Sequence, residues 1–147
     1  MKIPTSSTPN ILLVDDNCDG LLVRRCLLEE IGCCVQTAAN GEEGLNLFQT
    51  FKFDVVVTDY RMPRMNGGEL IQRIRLLDPN ARIILLSGFV EPLGLTEQNT
   101  GADAVVTKSA SEPATLVRTV KRLMNRIVRK PPGSQKGPAA QVKAAGE

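Results

Sequence analysis

Val55-Val56-Val57-Thr58-Asp59-Tyr60-Arg61-Met62-Pro63-Arg64-Met65-Asn66-Gly67 is a short apolar run that stops at a carboxylate and passes into a loop. Three other runs end in a similar way. Ile11-Leu12-Leu13-Val14 meets Asp15-Asp16, Arg82-Ile83-Ile84-Leu85-Leu86 meets Ser87, and Ala104-Val105-Val106-Thr107 meets Lys108. Short runs of β-branched and aliphatic residues, separated by helical patterns, read as strands buried on both faces of a parallel sheet. Open α/β sheets bind ligands beyond the carboxyl ends of their strands. Three carboxylates, a hydroxyl and an ammonium are therefore expected to meet at one edge of the fold.

That set of groups belongs to phosphoryl chemistry. A carboxylate can attack phosphorus and form an acyl phosphate, but attack by one anion on another needs cations beside it. A hard divalent ion held by carboxylates supplies one, and an ammonium supplies another. Asp59, alone at its strand end, is the expected nucleophile. Asp15 and Asp16 are expected to hold the metal, directly or through water, while Lys108 pairs with the phosphoryl group and Ser87 donates to one of its oxygens. Grouped carboxylates raise one another's pKa, so their convergence itself argues for a bound cation. Taken singly, each residue has a plainer reading: an Asp pair caps a helix, and a lysine at a strand end is a solvated charge. Their occurrence in order, with helix-length spacing, favours the joint site.

Between the runs the pattern turns helical. Asp16-Asn17-Cys18-Asp19 offers capping side chains, and Val23, Leu27 and Ile31 fall at helical spacing among Arg24, Arg25, Glu29 and Glu30. They are expected to face the core, with Gly32 stopping the helix. A second strand over residues 34–38 leads to Asn40-Gly41 and a helix that presents Leu45 and Phe48 inward. Leu70, Ile74 and Leu77 mark a third helix, closed by Asp78-Pro79-Asn80. After Ser87 the stretch to Gly94 is poor in helix formers, and a short fourth segment is expected near residues 95–99. Ser111-Glu112-Pro113 opens a last helix, with Leu116, Val120, Leu123 and Ile127 inward. Residues 1–9 read as a flexible lead-in, 10–129 as one domain and 130–147 as a disordered basic tail rich in Pro, Gly and Ala.

The 147 residues leave room for one ordinary domain. No apolar stretch reaches the roughly 18 residues of a membrane span, and no secretory layout opens the chain, so a cytoplasmic location is expected. Cys18, Cys26, Cys33 and Cys34 show no metal spacing and are expected to be reduced, largely packing thiols. The sequence contains no histidine, so a histidine phosphodonor has to come from another molecule. Through Val120 there are eleven Lys/Arg against fifteen Asp/Glu, and from Lys121 onward seven against one. The basic end, including Lys121, Arg122, Arg126, Arg129 and Lys130, reads chiefly as a solvated helix face and tail. Contact with nucleic acid or an acidic partner is the sharper alternative.

Residues 11 to about 129 resemble the receiver domain of two-component response regulators. The resemblance rests on Leu13-Val14-Asp15-Asp16-Asn17, on Asp59 through Gly67 with its D-x-x-M-P-x-M-N-G element, on Ser87-Gly88, and on Gly101-Ala102-Asp103-Ala104 with Lys108. It implies an α/β, flavodoxin-like, doubly wound five-stranded parallel sheet of order 2-1-3-4-5 with helices on both faces, an order the general rules for such folds already associate with receivers. It implies that Asp59 is phosphorylated by a partner histidine kinase or phosphotransfer protein. Asp16, Asp59 and the backbone carbonyl of Arg61 then ligate Mg²⁺ (or Mn²⁺), with Asp15 assisting through water. Ser87 and Lys108 read the phosphoryl group and couple it to the face built from the fourth helix and fifth strand. The implied protein is a phosphoacceptor switch rather than an enzyme in the ordinary sense.

The sequence departs from the family's pattern at Val105, where an aromatic often stands three residues before the lysine, and at Ser109, where a proline usually follows it. Phe89 is a candidate substitute reporter, and Arg61 and Phe89 flank the position of a hydrolytic water. With fewer than about 25 residues after the last helix, no DNA-binding domain is expected, and output is expected through contact with a downstream protein. Homodimerisation on activation is left open. The competing expectation is a scaffold of the same fold that binds partners irrespective of phosphorylation.

Overall fold

A computed structural model describes residues 8–88 and 96–129, with the side chains of residues 126–129 excepted. Its elements are β1 (Asn10–Val14), α1 (Cys18–Glu30), β2 (Cys34–Ala38), α2 (Gly41–Thr50), β3 (Val55–Asp59), α3 (Gly67–Leu77), β4 (Ile83–Ser87), α4 (Glu97–Thr100), β5 (Ala104–Thr107) and α5 (Glu112–Arg129). The five strands are parallel in the order β2-β1-β3-β4-β5. This is the doubly wound arrangement the sequence implied.

Alternation along each strand builds two cores. Ile11, Leu13, Val55, Val57, Ile84 and Leu86 point to one face, where they pack with Leu21 and Leu28 of α1 and Leu116, Val120 and Leu123 of α5. Leu12, Val14, Val56, Ile83 and Leu85 point to the other, against Leu70, Ile71 and Ile74 of α3 and the partly buried Leu45, Leu47 and Phe48 of α2. Both faces of β1, β3 and β4 are sealed, which is why these strands read as unbroken apolar runs.

Asparagine starts three helices: the side chains of Asn17, Asn40 and Asn66 accept from the backbone N–H groups of Gly20, Glu43 and Glu69. Gly32, with φ 101°, turns the chain out of α1. α4 is only four residues long and is held by a Thr96–Asn99 capping box.

At the amino ends of β4 and β5 one side chain ties the connections together. Arg75, near the end of α3, donates to the carbonyls of Gly101 (2.8 Å), Pro79 (2.9 Å) and Ala81, and pairs with Asp103 at 3.1 Å. Asp103 in turn accepts from the N–H of Ile83, the first residue of β4.

Several expectations need correction. In α1 the buried positions are Leu21, Arg24 and Leu28, while Val23 is 56% exposed. The buried stripe runs through Leu21, Arg24 and Leu28, with Arg24 held by a buried ion pair, and of the expected series Ile31 packs partly against the same core. Leu77 is also exposed, because the core-facing stripe of α3 ends at Ile74. All four cysteines are free, but only Cys33 is buried, so a packing role falls to that thiol alone. The lead-in before Thr8, Phe89, residues 90–95 and the tail from Lys130 lie outside the described residues, as do the side chains of Arg126, Ile127 and Arg129. No described helix is long and apolar enough to cross a membrane.

Candidate functional site

The carboxyl ends of β1, β3 and β5 bring four charged side chains together. Asp15 and Asp16 follow β1, Asp59 is the last residue of β3, and Lys108 follows β5. Carboxylate oxygens of Asp15, Asp16 and Asp59 all lie within 4.8 Å of one another. Lys108 Nζ is 2.9 Å from Asp59 Oδ1 and 3.8 Å from Asp15 Oδ2. Its backbone is fixed by a bond from its own N–H to the Ser87 carbonyl at 2.8 Å.

The three acids differ in surroundings. Asp15 is buried, and both its oxygens are engaged: Oδ1 accepts from the Asn17 N–H at 3.0 Å and Oδ2 from Arg24 at 2.7 Å. Asp59 is also buried and accepts from the Tyr60 N–H at 3.0 Å. Asp16 is exposed and has no hydrogen-bond or ion-pair partner among the described residues. Burial pushes the Asp59 carboxyl above the usual carboxylate range, and the neighbouring Asp15 charge adds to this. The Lys108 hydrogen bond opposes the rise without cancelling it.

The loop after Asp59 is shaped for a close return. The Gly67 N–H donates to the Tyr60 carbonyl at 2.7 Å, and a Cβ at Gly67 would collide with the Asp59 carbonyl oxygen. Only glycine lets α3 start so near the end of β3. Arg64 takes a left-handed conformation (φ 69°) at the turn, and Met62 and Met65 on either side are buried in the second core. Asp16, Tyr60, Arg61, Met62, Pro63 and Asn66 line an open cleft beside the acids. The Arg61 side chain is exposed and its carbonyl accepts no hydrogen bond among the described residues. Ser87 is buried at the end of β4, opposite Thr107 in the β5 register, and its hydroxyl has no described partner.

Two site residues escaped the sequence reading. The sequence reads Arg24 as one of the polar residues of an amphipathic α1, yet it is buried and holds Asp15 on one side and Glu112 on the other. Glu112 was read only as an opening residue of the last helix. The available signal was Gly20, one turn before Arg24, which leaves the space the guanidinium occupies.

The response regulator receiver domain family matches the chain over residues 11–131. The chain belongs to that family. A response regulator receiver protein of Anaeromyxobacter is 36% identical over 106 residues, which is 71% of this chain and 44% of the relative. Two solved receivers are similar in structure. The CheY-like receiver of Methanospirillum hungatei has a TM-score of 0.75 and 30% identity, covering 84% of this chain and 99% of its own. The response regulator TrrA of Thermotoga maritima, solved in complex with Mg²⁺ and BeF, has a TM-score of 0.72 and 34% identity, covering 79% of this chain and 99% of its own. This receiver spans about half the length, or less, of the first curated relatives it matches.

Proposed function

We propose that residues 10–129 accept a phosphoryl group on Asp59 from the phosphohistidine of a partner histidine kinase or phosphotransfer protein, and that the modified form signals by contact with a downstream protein. The observation that carries this reading is the Lys108 ammonium 2.9 Å from Asp59 Oδ1, beside three carboxylates gathered within 4.8 Å. An Asp59 oxygen attacks phosphorus and forms a P–O bond. The P–N bond breaks, and its electrons return to the donor imidazole. These 147 residues contain no histidine, so the donor imidazole lies outside them.

The donor set fits a hard divalent ion such as Mg²⁺ or Mn²⁺, which would neutralise charge on the transferring group. Asp59 would hold it together with Asp16 and the Arg61 carbonyl, neither of which has a partner among the described residues. Asp15, with both oxygens engaged, would assist through water. Lys108, 2.9 Å from Asp59 Oδ1, would follow a phosphoryl oxygen there, and the Ser87 hydroxyl, without a partner among the described residues, is the donor proposed for another. A weaker second reading is a phosphorylation-independent scaffold. It is favoured by Val105, which packs partly buried against the second core in place of an aromatic reporter.

Incubation with a small phosphodonor and Mg²⁺, followed by intact mass, tests the first reading. Wild type should gain one phosphoryl group, lost on mild alkaline hydrolysis, and Asp59→Asn should gain none. Failure of the wild type to load would overturn the phosphoacceptor reading and leave the scaffold.

A further inference from the structure

Arg24 is an unusual residue to find sealed under this site. It is 7% exposed and its guanidinium spans two elements. Nη1 donates to Asp15 Oδ2 at 2.7 Å, while Nε and Nη2 form a fork onto Glu112 at 3.0 and 3.1 Å. Glu112 is itself buried and is the first residue of α5. The arrangement depends on Gly20, because a Cβ there would stand 2.8 Å from Arg24 Nη1 and 3.2 Å from Asp15 Oδ2. Burial alone would weaken the guanidinium's hold on its proton, but Glu112 and Asp15 together strengthen it, so Arg24 is a permanent cation.

The pocket of three carboxylates therefore has two resident cations, Lys108 and Arg24, competing with any incoming ion for the same acids. Arg24 holds Asp15 through the oxygen that also faces Lys108. Its opposite edge is neutralised by Glu112, so the charge that the pocket feels depends on a residue outside it.

We propose that Arg24 is a positioning residue that sets the pocket's affinity for a divalent cation and couples it to the start of α5 through Glu112. This rests on the cation-binding reading above. Removing Arg24 takes a positive charge from beside Asp15 and leaves Glu112 behind, so a cation binds more tightly. Neutralising Glu112 unmasks the guanidinium and strengthens its grip on Asp15, so a cation binds less tightly. The two substitutions break the same link yet act with opposite sign, which loss of folding stability alone would not produce.

The test is calorimetric titration of the full chain with MgCl₂. Charge separation of a few ångströms at a partly screened site predicts that Arg24→Met tightens binding about tenfold and Glu112→Gln weakens it about threefold. Arg24→Lys, which keeps the charge, should stay close to wild type. Glu112→Gln is nearly isosteric and provides the sign test even if Arg24→Met fails to fold. Hydrogen exchange supplies the coupling readout: Mg²⁺ should change protection in the first turn of α5 in wild type and leave it unchanged in Arg24→Met. Equal affinities, shifts of the same sign, or no exchange response in wild type would overturn the proposal. A wild type that binds no Mg²⁺ at all would instead remove the cation-binding reading on which it rests.

Discussion

Two arginines hold the two ends of the sheet, and they do so differently. Arg75 at the amino ends of β4 and β5 gathers three backbone carbonyls and one carboxylate that also accepts a backbone N–H. Arg24 at the carboxyl ends gathers two carboxylates, one of which belongs to the acidic pocket. The first set is locally satisfied and serves to fix connections. The second sits beside two further acids and Lys108, with Asp16 unpartnered among the described residues and the Asp59 carboxyl pushed towards protonation by burial. The amino end carries backbone-directed ties, and the carboxyl end carries the group of acids proposed above as the phosphoacceptor site. A fold that separates them can carry like charges at the reactive edge without losing its core.

The largest effect expected at the reactive end is loss of phosphoryl uptake. Asp59→Asn should load at least about 100-fold more slowly than wild type, because an amide is not a usable nucleophile toward phosphorus; intact mass over time measures this. At the stabilising end, Arg75→Ala should cost about 2 kcal/mol, since it strands several carbonyls and the Asp103 carboxylate. Urea unfolding would show that loss, while Mg²⁺ affinity stays unchanged; a parallel loss of affinity would break the division between the two ends.

A smaller effect runs in the opposite direction. Without metal, Asp59→Asn should stabilise the fold by about 1 kcal/mol, because it removes a buried charge from beside Asp15. The Asp59 pKa is raised on folding, so the wild-type carboxyl contributes fully while protonated, and that contribution is lost as pH rises through the raised value. The gap between variant and wild type should therefore close as pH falls. Mg²⁺ should raise the wild-type melting temperature more than that of the variant.

The smallest effect at neutral pH concerns Cys33. Burial, with Asp54 and Cys34 adding charge, pushes its thiol from 9.0 up to about 11. Its contribution to stability is complete below pH 9 and declines as pH rises toward 11. Cys33→Val should flatten that alkaline loss, and in the wild type Cys33 should be the last of the four thiols to react with an alkylating reagent.

The strand ends were legible because burial on both faces forces unbroken apolar runs, and such runs announce where they stop. Asp15, Asp16, Asp59, Ser87 and Lys108 could be placed at strand ends from that signal alone, whereas the strand order came only from the family resemblance. The face of α1 was misread because apolar spacing was allowed to decide it. Val23 follows the helical period with Leu27 and Ile31, but one buried ion pair outweighs that pattern by drawing Arg24 inward. A guanidinium on a helix normally signals solvent, and its partner Glu112 lies far along the chain, so no local rule connects them. The amino-end clamp was equally hidden. Arg75 bonds mostly to carbonyls, which every residue possesses and no sequence pattern marks.

Tyr60 is the chain's single tyrosine, and there is no tryptophan. Its amide donates to Asp59, and the residue lines the cleft that Asp16 also lines. The near-ultraviolet emission of this protein thus originates from one phenol at the edge of the acid cluster. A cation or phosphoryl group taken up there, as proposed above, is expected to alter that emission, which can be recorded on the unlabelled chain.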